Sequence, residues 1–511
     1  MAQQRFSVCR VCNKGCALVA EVVDGRLVTI GGDRDNPLYV GYTCLKGRAM
    51  PEYLNSPDRL LHSLKRTPDG GFEPIPLERA LDEIAMRLQA IVEESGPRAV
   101  ATYYGTQMQN IPVQPVMYAF ADAIGTRMNF GALSVDKPGR PIAWAMLGRW
   151  QAPHQCFSDP RAIMMLGINP LVTGLGGLPN GHPGNWLAER LHSGTQLIVI
   201  DPRRSDIAKR ATIHLQPRPG HDIPILAAML HVILHEGLYD KAFTDEDVRN
   251  VDALAAAVRP FDARAVAEHA GIEADDLVRA ARVFARAGRG YVVAGTSPHF
   301  AGHGTLMEYL ALCIDTVCGH WLREGEQVDV LGVLATPKVP KAQAVDPAPA
   351  YGFSEPSRVR GLGLTSAGMP SATLAEEILL DGPGRVIPDG RPRRLRDRAP
   401  RWPGTPADPT YPFRLLNRRM MHVVNSSYNA RGAAGHPNVN PAFLNTTDLD
   451  DVRLRRAAGG RCPRPGNRQQ RGPAAQHDRF LRPVFGAAAD EQRPHPDPRR
   501  RTHVIEEVGR T

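Results

Sequence analysis

Four cysteines near the N-terminus, Cys9, Cys12, Cys16 and Cys44, stand in the spacing C-x2-C-x3-C-x27-C. Thiolates are soft ligands, and four of them grouped this way select zinc or an iron–sulfur cluster. Structural zinc sites usually come as two pairs of Cys or His ligands. Here three cysteines are bunched and the fourth is distant. That suits a [4Fe–4S] cubane held at three corners by one loop and at the fourth from afar. Zinc and unliganded thiols are the alternatives. Lys46 follows in Cys44-Leu45-Lys46-Gly47. It can place a cation between a cluster and a second redox centre, or be a solvated lysine. A single cluster ahead of a large α/β body would carry electrons into or out of the protein.

The elements that must position these groups are legible as periodicity. Residues 17–30 (ALVAEVVDGRLVTI) read as a hairpin turning at Asp24-Gly25. Leu77, Leu81, Ile84, Leu88, Ile91 and Val92 recur at helical spacing, and Ser95-Gly96-Pro97 ends that helix. Strands are expected at residues 99–105, 162–167 and 196–203, with a helical stretch between the last two. Further strands are expected at 213–215 and 291–295, and helices over 222–235 and 305–321. Strand and helix alternate, so the fold class is α/β with a doubly wound parallel sheet. Cys313 and Cys318 lie on an apolar helical stretch and read as core.

The chain has 511 residues, 42% of them hydrophobic, enough for a large core and more than one domain. No apolar run approaches the ~18 residues of a membrane span. The first residues carry no apolar signal region, which leads us to expect a cytoplasmic protein. The net charge of +9 is unevenly placed. Residues 453–511 hold 14 arginines, no lysine and six acids, so +8 sits there and the first 452 residues carry +1. A nearly neutral body argues against a broad nucleic-acid surface.

Four further segments follow expected strands. Gly167-Ile168-Asn169-Pro170 can let backbone approach a pyrophosphate, or be an ordinary strand-exit turn. Asp201-Pro202-Arg203-Arg204 puts an acid where a doubly wound sheet meets a ribose or a base edge. Arg218-Pro219-Gly220-His221-Asp222 precedes a helix that Asp222 can cap. Gly295-Thr296-Ser297 opens a loop carrying His299 and His303 that can face a cofactor or simply lead into a helix.

With the cysteine spacing and Cys44-Leu45-Lys46-Gly47, these motifs resemble the prokaryotic molybdopterin oxidoreductases of the dimethyl sulfoxide reductase type. The resemblance runs over residues 5–385 and returns over about 411–450. It implies a [4Fe–4S] cluster on the four cysteines. It also implies molybdenum or tungsten held by molybdopterin guanine dinucleotide, a small-molecule substrate, and an external electron carrier or redox subunit. Asp201 and Arg203 would help hold one dinucleotide, alongside Gly167, Asn169, Arg218, Gly220, Asp222 and Gly295. His221 stands where the family has a small hydroxyl residue. Alignment of Ile142-Ala143 with the helix that follows the metal loop in relatives puts Asp136 on the metal, with Ser134 as the alternative. The loop has no cysteine, which counts against formate as substrate. Lys46 would lie on the electron path.

The resemblance divides the chain into a small iron–sulfur domain (residues 1–58) and Rossmann-like, doubly wound cofactor domains (59–386). A Pro/Arg-rich junction (387–410) and a truncated β-barrel-like remnant (411–452), with Asn425 and Ser426 on the cofactor, would follow. The arginine-rich tail (453–511) cannot bury enough apolar surface to order itself. A stretch of the third domain expected after Val386 is absent, and the lysine-free tail reads like a frameshifted GC-rich gene. A catalytically impaired, cluster-bearing remnant is therefore one alternative. A zinc module with a basic nucleic-acid-binding tail is another. If deletion and frameshift are real, resequencing the gene will show a broken frame; the same 511 codons in several isolates would refute both.

Overall fold

Short β-rich segments near the N-terminus give way to longer alternation of strand and helix. The computed structural model describes residues 2–380 except 13, 58, 106–112, 151–158, 175, 180, 324, 327–343, 346–356 and 360–367, together with 382 and 386. Asn425, Ser426 and everything expected beyond residue 386 lie outside the described residues.

Strands β1 (Ala2–Val8), β2 (Ala17–Val23) and β3 (Arg26–Gly32) form an antiparallel sheet in that spatial order. Asp24 and Gly25 link β2 to β3 with φ of 48° and 78°. An Asp-Gly pair favours this doubly left-handed turn, because it matches the twist of the flanking strands. The expected hairpin is thus present.

The helix Leu77–Ser95 ends at Gly96, as its sequence requires. Its apolar stripe is present, yet no residue of the helix is buried; Leu77, Leu81 and Ile84 are all more than half exposed. Next come β4 (Thr102–Tyr104), shorter than expected, and β5 (Asn129–Gly131), which pair in parallel. Helix α1 (Gly139–Leu147) follows.

The main sheet contains β6 (Ala162–Leu166), β7 (Gln196–Ile200), β8 (Ile213–Leu215) and β9 (Gly290–Ala294), all parallel, in the order β8-β7-β6-β9. A parallel strand needs cover on both faces, so its sequence is apolar throughout. Ala162, Met164 and Leu166 point into a core built on α2 (Asp222–His235), α3 (Ala274–Ala285) and α4 (Gly304–Val317). Ile163 and Met165 point to the other face, against Leu187 and Ile207. Each such side chain contributes about 1.5–3 kcal/mol of burial. Cys313 and Cys318 are buried in the α4 core. Helix α1 packs along α4. No helix among the described residues is long and apolar enough to cross a membrane.

The chain steps from β6 outward to β7 and β8, then returns to lay β9 on the opposite side of β6. Connections therefore leave in opposite directions at the β6/β9 boundary. A crevice opens beyond the carboxyl ends of the strands at such a point, where ligands of open α/β sheets bind.

His320, just beyond α4, is fully buried with its ring 4.7 Å from that of Phe284, and neither ring nitrogen has a hydrogen-bond partner. Burial holds its imidazole down at about 4, against an ordinary 6.5. The unfolded chain therefore binds this proton at higher pH than the folded one. Stability falls as pH drops from 6.5 to 4, by about 3 kcal/mol for this group. His320→Leu is expected to remove that part of the acid sensitivity, read as a flatter plot of melting temperature between pH 7 and pH 4.5. An unchanged slope would contradict the assignment.

Candidate functional site

The first half of the site is the cysteine unit. Cys9 follows β1 and Cys16 precedes β2, and the Cys9 N–H donates to the Cys16 carbonyl at 2.8 Å, closing the loop that holds three of the four thiols. Cys44 caps the turn Leu45–Arg48. A side chain at Gly47 would meet Thr43 Oγ1 at 2.5 Å and Cys9 Sγ at 3.5 Å, so this position brings backbone close to the thiols. Cys9 and Cys16 are buried, Cys12 and Cys44 partly so, and all four are free thiols. Burial pushes the Cys9 thiol up to about 11 and Cys16 to about 12, with neighbouring thiols adding to both. Cys12 is raised for the same reason. Lys46 is buried and its charge opposes the rise at Cys9 and Cys12. Lys14 is buried as well, and desolvation pulls its ammonium below the ordinary lysine value.

Among the described residues no three His, Cys, Asp or Glu are drawn together to hold a metal ion. The four thiols still lie within electrostatic reach of one another. A cubane takes one thiolate per corner, so its ligands ring the cluster rather than meet at one point. Four soft sulfurs, with burial favouring the neutral thiol at Cys9, Cys12 and Cys16 and two buried lysines beside them, fit such a group.

The second half is the crevice. A β-carbon at Gly295, just after β9, would stand 2.1 Å from the Gly167 carbonyl oxygen; one at Gly167 (φ 53°) would meet Pro298 Cδ at 2.8 Å. The two strand exits are therefore packed backbone to backbone, and their N–H groups are already paired, Gly167 with the Ile200 carbonyl at 2.9 Å and Gly295 with the Leu166 carbonyl at 2.7 Å. Asn169 follows, with Oδ1 and Nδ2 both buried and without a partner among the described residues. At the end of β7 the Asp201 carboxylate accepts the Arg203 N–H at 2.8 Å and the Ser205 hydroxyl at 3.4 Å, while burial raises its pKa. Burial, with Asp201 nearby, pushes Asp222 at the start of α2 up to about 6. His221, not Asp222, is the capping residue, and it makes no side-chain cap bond. Gly220 is left-handed at φ 89°. Arg218 turns away from this group, its guanidinium donating to the His269 carbonyl at 2.8 Å.

Asp136 ends the turn Leu133–Asp136 after β5, and its Oδ1 accepts the Thr296 hydroxyl. Lys137 donates to the Ala294 carbonyl. Burial, and then Arg140, pull the Lys137 ammonium down to about 8. The metal-loop candidate thus touches the exit of β9. Ser134 is spent on other bonds, donating to the Gly131 carbonyl at 2.9 Å and lying 2.7 Å from Ser371 Oγ. Behind Thr296, His299 Nε2 donates to Glu308 Oε1 at 2.9 Å, both residues buried, and His299 Nδ1 has no partner. Burial alone would raise Glu308, but the His299 bond and the Arg140 and Lys137 charges bring it below the ordinary value. Thr296, Lys137, Glu308 and Lys14 carry no motif; only the tertiary contact reveals them.

The profile of the molybdopterin oxidoreductase Fe4S4 domain matches residues 3–56, and that of molybdopterin oxidoreductase matches residues 59–434. The chain belongs to the molybdopterin oxidoreductase family. The thiosulfate reductase molybdopterin-containing subunit PhsA of Salmonella typhimurium is 28% identical over 324 residues, 62% of this chain and 41% of that protein. Formate dehydrogenase H of Escherichia coli is 29% identical over 292 residues, 55% of this chain and 40% of that one. The α/β fold is similar to that of acetylene hydratase from Pelobacter acetylenicus, with a TM-score of 0.56 at 22% identity, covering 63% of this chain and 46% of that structure. The chain spans less than half the length of these relatives.

A buried amide without partners is unfavourable by about 1–3 kcal/mol per group, and Asn169 carries such an amide among the described residues. Asn169→Leu, near in size, is expected to leave the cofactor-free protein as stable as the parent or more so by about 1 kcal/mol, while cofactor retention falls. A melt of cofactor-free protein checks this. Destabilisation above about 2 kcal/mol would mean the amide already has a partner.

Proposed function

We propose that the chain is a molybdenum- or tungsten-dependent oxidoreductase acting on a small molecule, with a [4Fe–4S] cluster passing electrons to an external carrier or redox subunit. The seating of the cysteine unit on the crevice loops carries this reading. The Tyr42 and His182 rings are 4.9 Å apart, a β-carbon at Gly181 would strike the Leu38 carbonyl at 2.6 Å, and Lys14 Nζ bonds the Gly174 carbonyl at 2.8 Å. An electron centre on the cysteines would adjoin whatever the crevice holds.

The metal–pterin group, when bound, supplies oxygen-atom or hydride-equivalent transfer. The protein holds, orients and shields. Cys9, Cys12, Cys16 and Cys44 ligate the cluster, and buried Lys46 sets positive charge beside it. Asn169 presents its amide to the diphosphate of a guanine dinucleotide, Gly167 and Gly295 keep the strand exits beside it free of side chains, and Gly220 shapes the turn below. Asp201, braced by Arg203, and Asp222 meet its ribose or base edge. Arg218 acts at a distance, through the helix Ala263–Ala270 that it caps. Asp136 is the metal ligand, oriented by Thr296; Ser134 is less available, because its hydroxyl is already committed. We assign residues 1–58 to the cluster domain and 59–386 to cofactor binding. Beyond the junction at 387–410, residues 411–452 would add Asn425 and Ser426, ahead of the tail at 453–511. Relatives named for thiosulfate, formate and acetylene point to no single substrate.

One observation favours a second reading, a cluster-bearing chain without turnover. The apolar stripe of Leu77–Ser95 is uncovered, with Leu60 and Leu61 also exposed. Elemental analysis of anaerobically purified protein separates the two. Iron together with molybdenum or tungsten is expected. Iron alone would support the second reading, and colourless, zinc-loaded protein would defeat both.

A further inference from the structure

Lys14 sits inside the cysteine loop, between Cys12 and Cys16, and only 4% of it is exposed. A lysine on a surface loop ordinarily extends its ammonium into water. This one turns inward. Its Nζ donates to the Gly174 carbonyl, 160 residues away, and lies 5.6 Å from the centre of the Tyr42 ring. The backbone is pinned too: the fully buried Tyr39 hydroxyl donates to the Lys14 carbonyl. Gly174 closes the short turn Pro170–Thr173 that starts at Asn169. The side chain therefore ties the cysteine loop to the crevice loop.

One carbonyl and one ring face do not compensate a buried ammonium. The further charges within its reach belong to Cys12, Cys16 and Cys44. As ligands of a cluster these would be thiolates, and a cubane on four thiolates is net negative. We propose that Lys14 is a positioning and charge-setting residue of the iron–sulfur centre, anchoring the cysteine loop to the crevice and stabilising the cluster's reduced state. This rests on the reading of the four cysteines as cluster ligands. A fixed cation in a water-poor site favours whichever redox state carries more negative charge, and net charge, hydrogen bonding and exposure are what set cluster potentials. Lys46 supplies a second buried cation next to Cys9 and Cys12, so the thiols lie among charges from two separate segments.

The test is an EPR-monitored reductive titration of the full chain, purified anaerobically, with iron content measured in parallel. Lys14→Gln keeps a donor for the Gly174 carbonyl and removes the charge; Lys14→Arg keeps the charge. For Lys14→Gln the reduced-to-oxidised ratio at a fixed potential is expected to drop roughly tenfold, a lowering of about 59 mV for a one-electron couple. Lys14→Arg should stay near the parent. An unmoved potential in Lys14→Gln at full iron content, or equal shifts in both variants, overturns the proposal. Loss of iron from Lys14→Gln but not Lys14→Arg supports it, since the thiolates then lack their counter-charge; loss from both overturns it. Parent protein without iron would instead refute the ligand reading itself.

Discussion

At the carboxyl ends of β6 and β9 two backbones approach so closely that a single β-carbon at Gly295 would collide with the Gly167 carbonyl. Much of the site depends on this contact. It follows from the parallel pairing of two strands that are far apart in the chain but adjacent in the sheet. The pairing is enforced by apolar side chains feeding cores on both faces. The pairing runs one step past the strands, the Gly167 N–H donating to the Ile200 carbonyl at 2.9 Å and the Gly295 N–H to the Leu166 carbonyl at 2.7 Å, so the two exits close against each other.

Around that contact the protein buries polar groups without completing their bonds. Asn169 has neither donor nor acceptor matched, and His299 keeps one idle nitrogen. Asp201 and Asp222 are held in a setting that favours their neutral forms. Each is unfavourable in isolation. These groups lie near the carboxyl ends of β6, β7 and β9, and the large helical core on α2, α3 and α4 offsets them. In the cysteine unit burial likewise disfavours charge on the Cys9, Cys12 and Cys16 thiols, against the opposing charge of buried Lys46 at Cys9 and Cys12.

The two units meet through small groups. Gly181 admits the Leu38 carbonyl, Tyr42 lies against His182, and Lys14 reaches Gly174. Close backbone approach and one buried ammonium thus join the cysteine unit to the crevice loop. Asp136 joins the arrangement from a different sheet, through Thr296 at the exit of β9.

What the linear chain determined is local: the C-x2-C-x3-C grouping, the Asp-Gly turn, the strands flanked by Gly167 and Asp201, and the span of α2. Each rests on spacing, turn chemistry or apolar period, all properties of neighbouring residues. What only the tertiary structure decided are contacts between distant segments. Lys14 with Gly174 and Asp136 with Thr296 are each separated by 160 positions. The turning away of Arg218 toward the His269 carbonyl, 51 positions on, belongs to the same class. The helix Leu77–Ser95 shows the boundary between the two. Its stripe was legible, but its exposure was not, because periodicity specifies which side is apolar and only packing specifies what, if anything, covers it.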